Sequence, residues 1–271
     1  MAGPAGAVRR SVSVDGLGIT YEDAGAGSPA VVLIHGAFED RTYFASQIGH
    51  LARRQRVIAL DLRGHGESDV PPTVRVEDFT TDVLAVCADA GIECAVLCGH
   101  SVVGAAVALS VAVARPDLVR AIAILDAVLF PPPQWREALE NLLPALDGDR
   151  WLEALRGYMS RTLDAKDPPE LAARVMEDLG QRRPEIARSL VASFLAVDLA
   201  NSIQELRCPL LYVHAKAPAD LTRLAQLRPD ALIGQVVGSG HYLMLAVPDQ
   251  VNAMLDRFLE LVDPNGGSHP S

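Results

Sequence analysis

Residues 95–114 read AVLCGHSVVGAAVALSVAVA. The first five residues are an apolar run typical of a strand buried on both faces, and Val103–Ala114 has the composition of a buried helix. Between them, Gly99-His100-Ser101 predicts a sharp strand-to-helix turn. Such a turn lifts the serine hydroxyl above the sheet edge and directs the helix's first amides at an oxyanion formed there. The alternative is a serine that only caps the helix, since serine is favoured at helix N-termini.

The chain around this stretch alternates strand and helix patterns. A hairpin is predicted at the start, from Val8–Val14 and Leu17–Asp23. Strands follow at Ala30–Ile34, Arg56–Leu62 and Val119–Ala127, separated by helical patterns at Arg41–Arg53 and Val76–Ala90. Such alternation implies right-handed crossovers and a mostly parallel, doubly wound α/β sheet.

The alternation stops after the sixth strand. Residues Phe130–Asn201 show helical patterns only, and the stretch opens on three prolines. Strand patterns resume at Cys208–His214 and Ala231–Val237, before a closing helix at Pro248–Leu261. We therefore expect a core of residues 1–129 and 202–262, a helical cap of residues 130–201 and a flexible tail of residues 263–271.

Composition excludes several classes of function. The chain has 271 residues, a formal net charge of −10 and 49% hydrophobic residues, so we expect a globular protein that does not bind nucleic acid. Its four cysteines show no zinc-ligand spacing, which predicts free thiols and no metal. Met1–Asp15 contains no apolar run, and Ser101–Ala114 is too short to span a bilayer. We expect a cytoplasmic protein with no membrane partner.

Two further glycine-containing segments follow predicted strands. His35-Gly36-Ala37-Phe38 could turn a backbone N–H towards the serine, although it could also be an ordinary strand-end turn. Gly238-Ser239-Gly240-His241 lies between the last strand and the last helix, where a histidine could take the serine's proton. A lone surface histidine is the alternative. The Asp61–Ser68 segment reads as a structural loop.

Taken together, Ile34-His35-Gly36, Asp61–Ser68, Gly99-His100-Ser101 and Gly240-His241 resemble the α/β-hydrolase superfamily, over residues 18–127 and 203–262. The resemblance implies an α/β-hydrolase fold with Ser101 as nucleophile and His241 as general base. It also implies an oxyanion hole from the N–H groups of Ala37 and Val102, a cap over the site and no cofactor.

One departure from that family lies beside the nucleophile. The usual pattern is Gly-x-Ser-x-Gly, but here Val103 occupies the second glycine's place and Gly104 follows. The spacing from Ser101 to Pro116 is also one residue longer than usual. We expect the extra residue in the turn or in the helix after it, where a branched valine would crowd a turn built for glycine.

A second departure concerns the acid that orients the histidine. Its usual place after the penultimate strand holds Pro218, with Asp220 two residues later. A minority of the family carries the acid after the preceding strand, where this chain has Asp126. Haloalkane dehalogenases and zearalenone-type lactone hydrolases resemble this arrangement, but the former need an aspartate nucleophile. We predict Asp126 as the acid, with Asp220 as the fallback.

The predicted activity is serine hydrolysis of an ester or lactone in a small, largely apolar molecule. Carbon–carbon bond hydrolysis, a cofactor-free dioxygenase reaction and a non-catalytic ligand-binding receptor stay open as alternatives on this fold. The oligomeric state is left open. The predicted substrate-binding residues are His35, Phe38, Phe130, Trp135, Trp151 and Tyr158.

Overall fold

A computed structural model describes residues 6–215 and 219–263. An eight-stranded sheet forms its centre, in the order β1-β2-β4-β3-β5-β6-β7-β8. The strands are β1 Val8–Val14, β2 Leu17–Ala24, β3 Ala30–Ile34, β4 Val57–Leu60, β5 Ala95–His100, β6 Val119–Leu125, β7 Leu210–His214 and β8 Leu232–Gln235. β1 and β2 pair antiparallel, β2 meets β4 antiparallel, and all later pairs are parallel. The predicted doubly wound α/β sheet is confirmed.

Eleven α-helices lie within the described residues. They are α1 Ala45–Leu51, α2 Val76–Asp89, α3 Ser101–Ala114, α4 Pro133–Ala145, α5 Trp151–Met159, α6 Pro169–Leu179, α7 Pro184–Ala196, α8 Leu199–Glu205, α9 Leu221–Leu227, α10 Leu243–Ala246 and α11 Pro248–Val262. Helix α1 packs on α11, while α3 packs on α2 and α8. The central strands β3, β4 and β5 are buried along their whole length.

Helices α4–α8 stand between β6 and β7, and we call residues 130–205 the helical insertion. The predicted boundary at residue 201 falls inside α8, which continues to Glu205. α6 and α7 bury only some of their residues, as amphipathic helices packed on one side do. Of the predicted tail, residues 264–271 lie outside the described residues.

Two smaller predictions need correction. The strand predicted at Arg56–Leu62 is shorter, because β4 spans Val57–Leu60, and the Asp61 carboxylate beyond it accepts hydrogen bonds from Arg41 N and Glu67 N. The predicted helix at 41–53 begins as a 3₁₀ turn, Arg41–Phe44. α3 runs without a break from Ser101 to Ala114, and the extra residue between Ser101 and Pro116 stays a prediction.

All four cysteines are free, as predicted. Burial raises the pKa of the Cys87 and Cys98 thiols to about 12, which makes them poor nucleophiles. No single helix within the described residues is long and apolar enough to cross a membrane. α7 and α8 meet the length and composition criteria only as a pair, bent by 61° at their junction.

Candidate active site

The turn between β5 and α3 holds Ser101 in a left-handed conformation, with φ of 61°. Gly99 and Gly104 make this possible, because a Cβ on Gly99 would lie 2.2 Å from the Gly104 carbonyl oxygen. A Cβ on Gly104 would in turn lie 2.6 Å from the Ile34 carbonyl oxygen. The position in the helix that must be glycine, because the backbone of β3 and β5 lies so close, is therefore Gly104. Val103 is buried in the core. The departure at Val103 leaves the turn intact.

A cavity of about 330 Å³ opens directly above this turn. It brings together Ser101, His241 and Asp126, which come from three different strand ends. Five other predicted residues, Ala37, Val102, Phe38, Trp135 and Tyr158, also line it. The remaining lining residues are Val128, Ala138, Met159, Arg161, Thr162 and Phe194.

The acid in contact with His241 is Asp126. His241 Nδ1 donates to Asp126 Oδ2 at 2.8 Å, and the Ala215 N–H donates to Oδ1 at 2.6 Å. A histidine whose Nδ1 is bound to a carboxylate keeps Nε2 available to accept a proton. Asp220 instead caps α9 by accepting a hydrogen bond from Arg223 N at 2.9 Å. Pro218 lies outside the described residues.

The loop after β3 comes close to the nucleophile. A Cβ on Gly36 would lie 2.8 Å from Ser101 Cβ, so only glycine fits there without a shift. Ala37 follows it into the cavity lining, and Phe38 has a φ of 64°. The N–H of Val102, in the first turn of α3, has no partner inside the helix. Both predicted oxyanion donors thus come from residues that line the cavity.

Backbone strain is concentrated at this site. Within residues 6–215 and 219–263, four non-glycine residues have positive φ, and three of them are Phe38, Ser101 and Asp126. The fourth, Asp15, sits in the β1–β2 hairpin turn. Left-handed conformations are costly for residues with side chains and cluster at functional sites. Their positions therefore point to this cavity as the candidate functional site.

Three predicted substrate-binding residues do not line the cavity. His35 is fully buried; it accepts from Leu62 N at Nε2 and donates from Nδ1 to the Gly36 carbonyl. Burial lowers the pKa of His35, which favours this neutral form. Phe130 packs under the Arg223 guanidinium, 4.7 Å from the ring centre. Trp151 is partly buried and packs against the hydrophobic core. The contacts of all three residues thus lie outside the cavity lining.

The helical insertion holds the loop that carries His241. The His241 N–H donates to the Thr162 carbonyl at 3.0 Å, and the Gly240 N–H donates to Asp167 Oδ1 at 2.8 Å. A Cβ on Gly240 would lie 2.6 Å from Asp167 Oδ2. The glycine before the histidine is therefore required by close contact with the insertion. The insertion also reaches the loop after β3, where Arg182 donates to the Phe38 carbonyl at 3.1 Å.

Sequence reasoning missed a buried ion pair beside the cavity. Glu39 Oε1 lies 2.8 Å from His100 Nδ1, and His100 Nε2 donates to the His241 carbonyl at 2.9 Å. Neither side chain is more than 2% exposed. The only sequence signals are a glutamate three residues after Gly36 and a histidine before Ser101.

The same residues, with His241, form the one cluster with metal-like spacing in the described part of the chain. The candidate ligand atoms of Glu39, His100 and His241 lie within 4.8 Å of one another. However, both ring nitrogens of His100 and Nδ1 of His241 are already hydrogen-bonded. The arrangement is that of a hydrogen-bonded ion pair, with few donor atoms left for a cation.

Several known proteins resemble this chain in sequence or in fold. The 2-(acetamidomethylene)succinate hydrolase of Mesorhizobium japonicum is 26% identical, covering 93% of this chain and 95% of that enzyme. A thermophilic esterase from Thermogutta terrifontis superposes with a TM-score of 0.81, at 24% identity, covering 95% of this chain and 99% of that one. Est816, an N-acyl homoserine lactone degrading enzyme, gives 0.79 at 23% identity, covering 92% and 100%.

The model of the alpha/beta hydrolase family matches residues 31–254, which include most of β3, the turn at Ser101, Asp126 and the His241 loop. This stretch covers most of the chain. The protein therefore belongs to the alpha/beta hydrolase family.

Proposed function

We propose that this hydrolase cleaves an ester or lactone bond in a small, largely apolar molecule, with Ser101, His241 and Asp126 as its catalytic triad. One observation carries the proposal. Ser101, in a strained turn, shares a cavity with a histidine whose Nδ1 is bound to a buried aspartate. This is the arrangement of nucleophile, base and orienting acid that activates a serine.

The reaction follows from these positions. Ser101 Oγ attacks the carbonyl carbon while His241 Nε2 takes the hydroxyl proton. The negative oxygen of the tetrahedral intermediate accepts hydrogen bonds from the N–H groups of Ala37 and Val102. His241 then protonates the leaving alkoxide, which in a lactone stays attached to the acyl group. Water activated by His241 releases the acid and restores Ser101.

The helical insertion serves as the cap in this proposal and shapes the substrate pocket. Its contribution to the lining is mostly apolar, from Trp135, Ala138, Met159 and Phe194. Trp135 and Phe194 pack together with ring centres 6.4 Å apart, forming one aromatic wall. A cavity of about 330 Å³ with these walls suits an apolar substrate of moderate size.

The test is covalent labelling combined with turnover. We expect a fluorophosphonate probe to label the wild type at one site, and Ser101→Ala to abolish both labelling and hydrolysis of p-nitrophenyl esters or lactones. Ser110→Ala, on the same helix and outside this cavity, is the matched control. Wild-type turnover by folded Ser101→Ala would refute the serine mechanism. A wild type that neither labels nor turns over esters would favour a binding protein on this fold.

A further inference from the structure

The protonation of His100 follows from its two hydrogen bonds together with the ionisation of Glu39. The His241 carbonyl can only accept, so His100 Nε2 must carry a proton. The pKa of Glu39 is lowered, which favours its carboxylate form; a carboxylate can only accept, so Nδ1 carries a proton as well. His100 is thus an imidazolium, paired with a carboxylate in a site from which solvent is excluded.

The pKa directions support this assignment. Burial alone would lower the pKa of His100, but the charge and hydrogen bond of Glu39 outweigh it and raise the pKa above 6.5. Burial alone would raise the pKa of Glu39, but His100 outweighs it and lowers the pKa below 4.5. Each partner stabilises the charged form of the other.

This pair joins the three loops that meet at the cavity. Glu39 Oε2 accepts from the Gly36 N–H at 2.8 Å, which fixes the loop carrying Ala37. His100 immediately precedes Ser101, and its Nε2 holds the main chain of His241. The rings of His100 and His241 lie 4.5 Å apart. Neither Glu39 nor His100 lines the cavity.

We propose that Glu39 and His100 are positioning residues for the reaction, which hold the oxyanion loop, the nucleophile turn and the main chain of the base in one rigid frame. The proposal rests on the proposed serine mechanism. Because the pair does not touch the substrate, its loss misplaces reacting groups without weakening binding. Misplacement by about 1 Å costs roughly 10²-fold in rate.

The test uses the maximal rate of fluorophosphonate inactivation and the probe concentration giving half that rate, so the natural substrate need not be known. We expect Glu39→Ala and His100→Ala each to lower the maximal rate about 10²-fold, with the half-maximal concentration changed less than about threefold. Glu39→Gln can still accept from Gly36 N and donate to a neutral His100. It should therefore recover the rate to within about tenfold of the wild type. His50→Ala, which removes a surface histidine–Asp256 pair, is the control.

A second measurement does not depend on turnover. Nitrogen-15 NMR should show two protonated ring nitrogens on His100 above pH 6.5 in the wild type, and one in Glu39→Gln. An unprotonated Nε2 in the wild type would overturn the proposal even if the alanine variants fail to fold, because His100 could then not donate to the His241 carbonyl. Wild-type inactivation rates in folded His100→Ala would overturn it too. Failure of the wild type to label would instead count against the serine mechanism itself.

Discussion

The strand-end loops and the helical insertion meet at one cavity but hold their residues by different means. The loops fix Ser101, Asp126 and Phe38 through positive φ angles, and glycines allow close backbone approach. The insertion supplies Trp135 and Phe194 from amphipathic helices, whose apolar side chains form the walls. In the proposed mechanism this contrast is a division of labour, in which backbone-fixed loops carry the chemistry, which needs exact geometry, and helix faces carry the choice of substrate.

The comparison is tested most sharply by two aspartates that follow neighbouring strands. Asp126→Asn should lower kcat about 10⁴-fold, as the same change does in a serine protease, because its amide would hold His241 in the wrong tautomer. Asp220→Asn, the matched control, should leave kcat within about twofold, since asparagine also caps helices. Equal losses in both folded variants would contradict the assignment of Asp126.

The contact between the two regions is tested at Gly240. Gly240→Ala places a methyl group 2.6 Å from Asp167 Oδ2 and 2.8 Å from the Thr162 carbonyl oxygen. One side must move, so we expect kcat to fall about 10²-fold. Gly157→Ala, in α5 with open space around its Cβ, is the control. Unchanged kcat in Gly240→Ala would show that the insertion does not position His241.

The buried charges of the strand-end loops predict a pH-dependent stability. The raised pKa of His100 contributes stability below pH 6.5 that is lost as pH rises through its folded value. The lowered pKa of Glu39 contributes stability above pH 4.5 that is lost as pH falls through its folded value. Between these two pH values, the free energy of unfolding of the wild type should therefore exceed that of Glu39→Gln by the largest amount, about 1.5–3 kcal/mol. Urea unfolding from about pH 3 to 9 measures this difference, and a pH-independent gap would contradict it.

The smallest effect is expected within the insertion, where two tryptophans differ in position. Trp135 lines the cavity, so Trp135→Ala should change kcat/KM ratios between short and long acyl esters by about 10-fold. Trp151 lies outside the lining, so Trp151→Ala should lower the melting temperature and leave those ratios unchanged. Altered selectivity in the Trp151 variant alone would place the pocket elsewhere.

The sequence predicted the candidate site residues that can be located from the strands before them. Ser101, Asp126 and His241 each follow a recognisable strand, and the carboxyl ends of parallel strands meet at one edge of the sheet. The Glu39–His100 pair was missed because its partners are 61 positions apart and each alone is an ordinary polar residue. Phe130 and Trp151 lie outside the cavity lining although they were predicted to bind substrate, because an aromatic residue in a segment predicted as helical does not reveal which side it faces.

The contact between Gly240 and Asp167 has a consequence for how such enzymes can diversify. A cap attached only through its two chain connections could be exchanged as a module, with new specificity and unchanged chemistry. Here residues 162–167 supply two hydrogen-bond acceptors, the Thr162 carbonyl and Asp167 Oδ1, to the loop that carries His241. A transplanted cap would have to reproduce those acceptors. We therefore expect substitutions to be tolerated at the apolar lining residues of the insertion and restricted at residues 162–167.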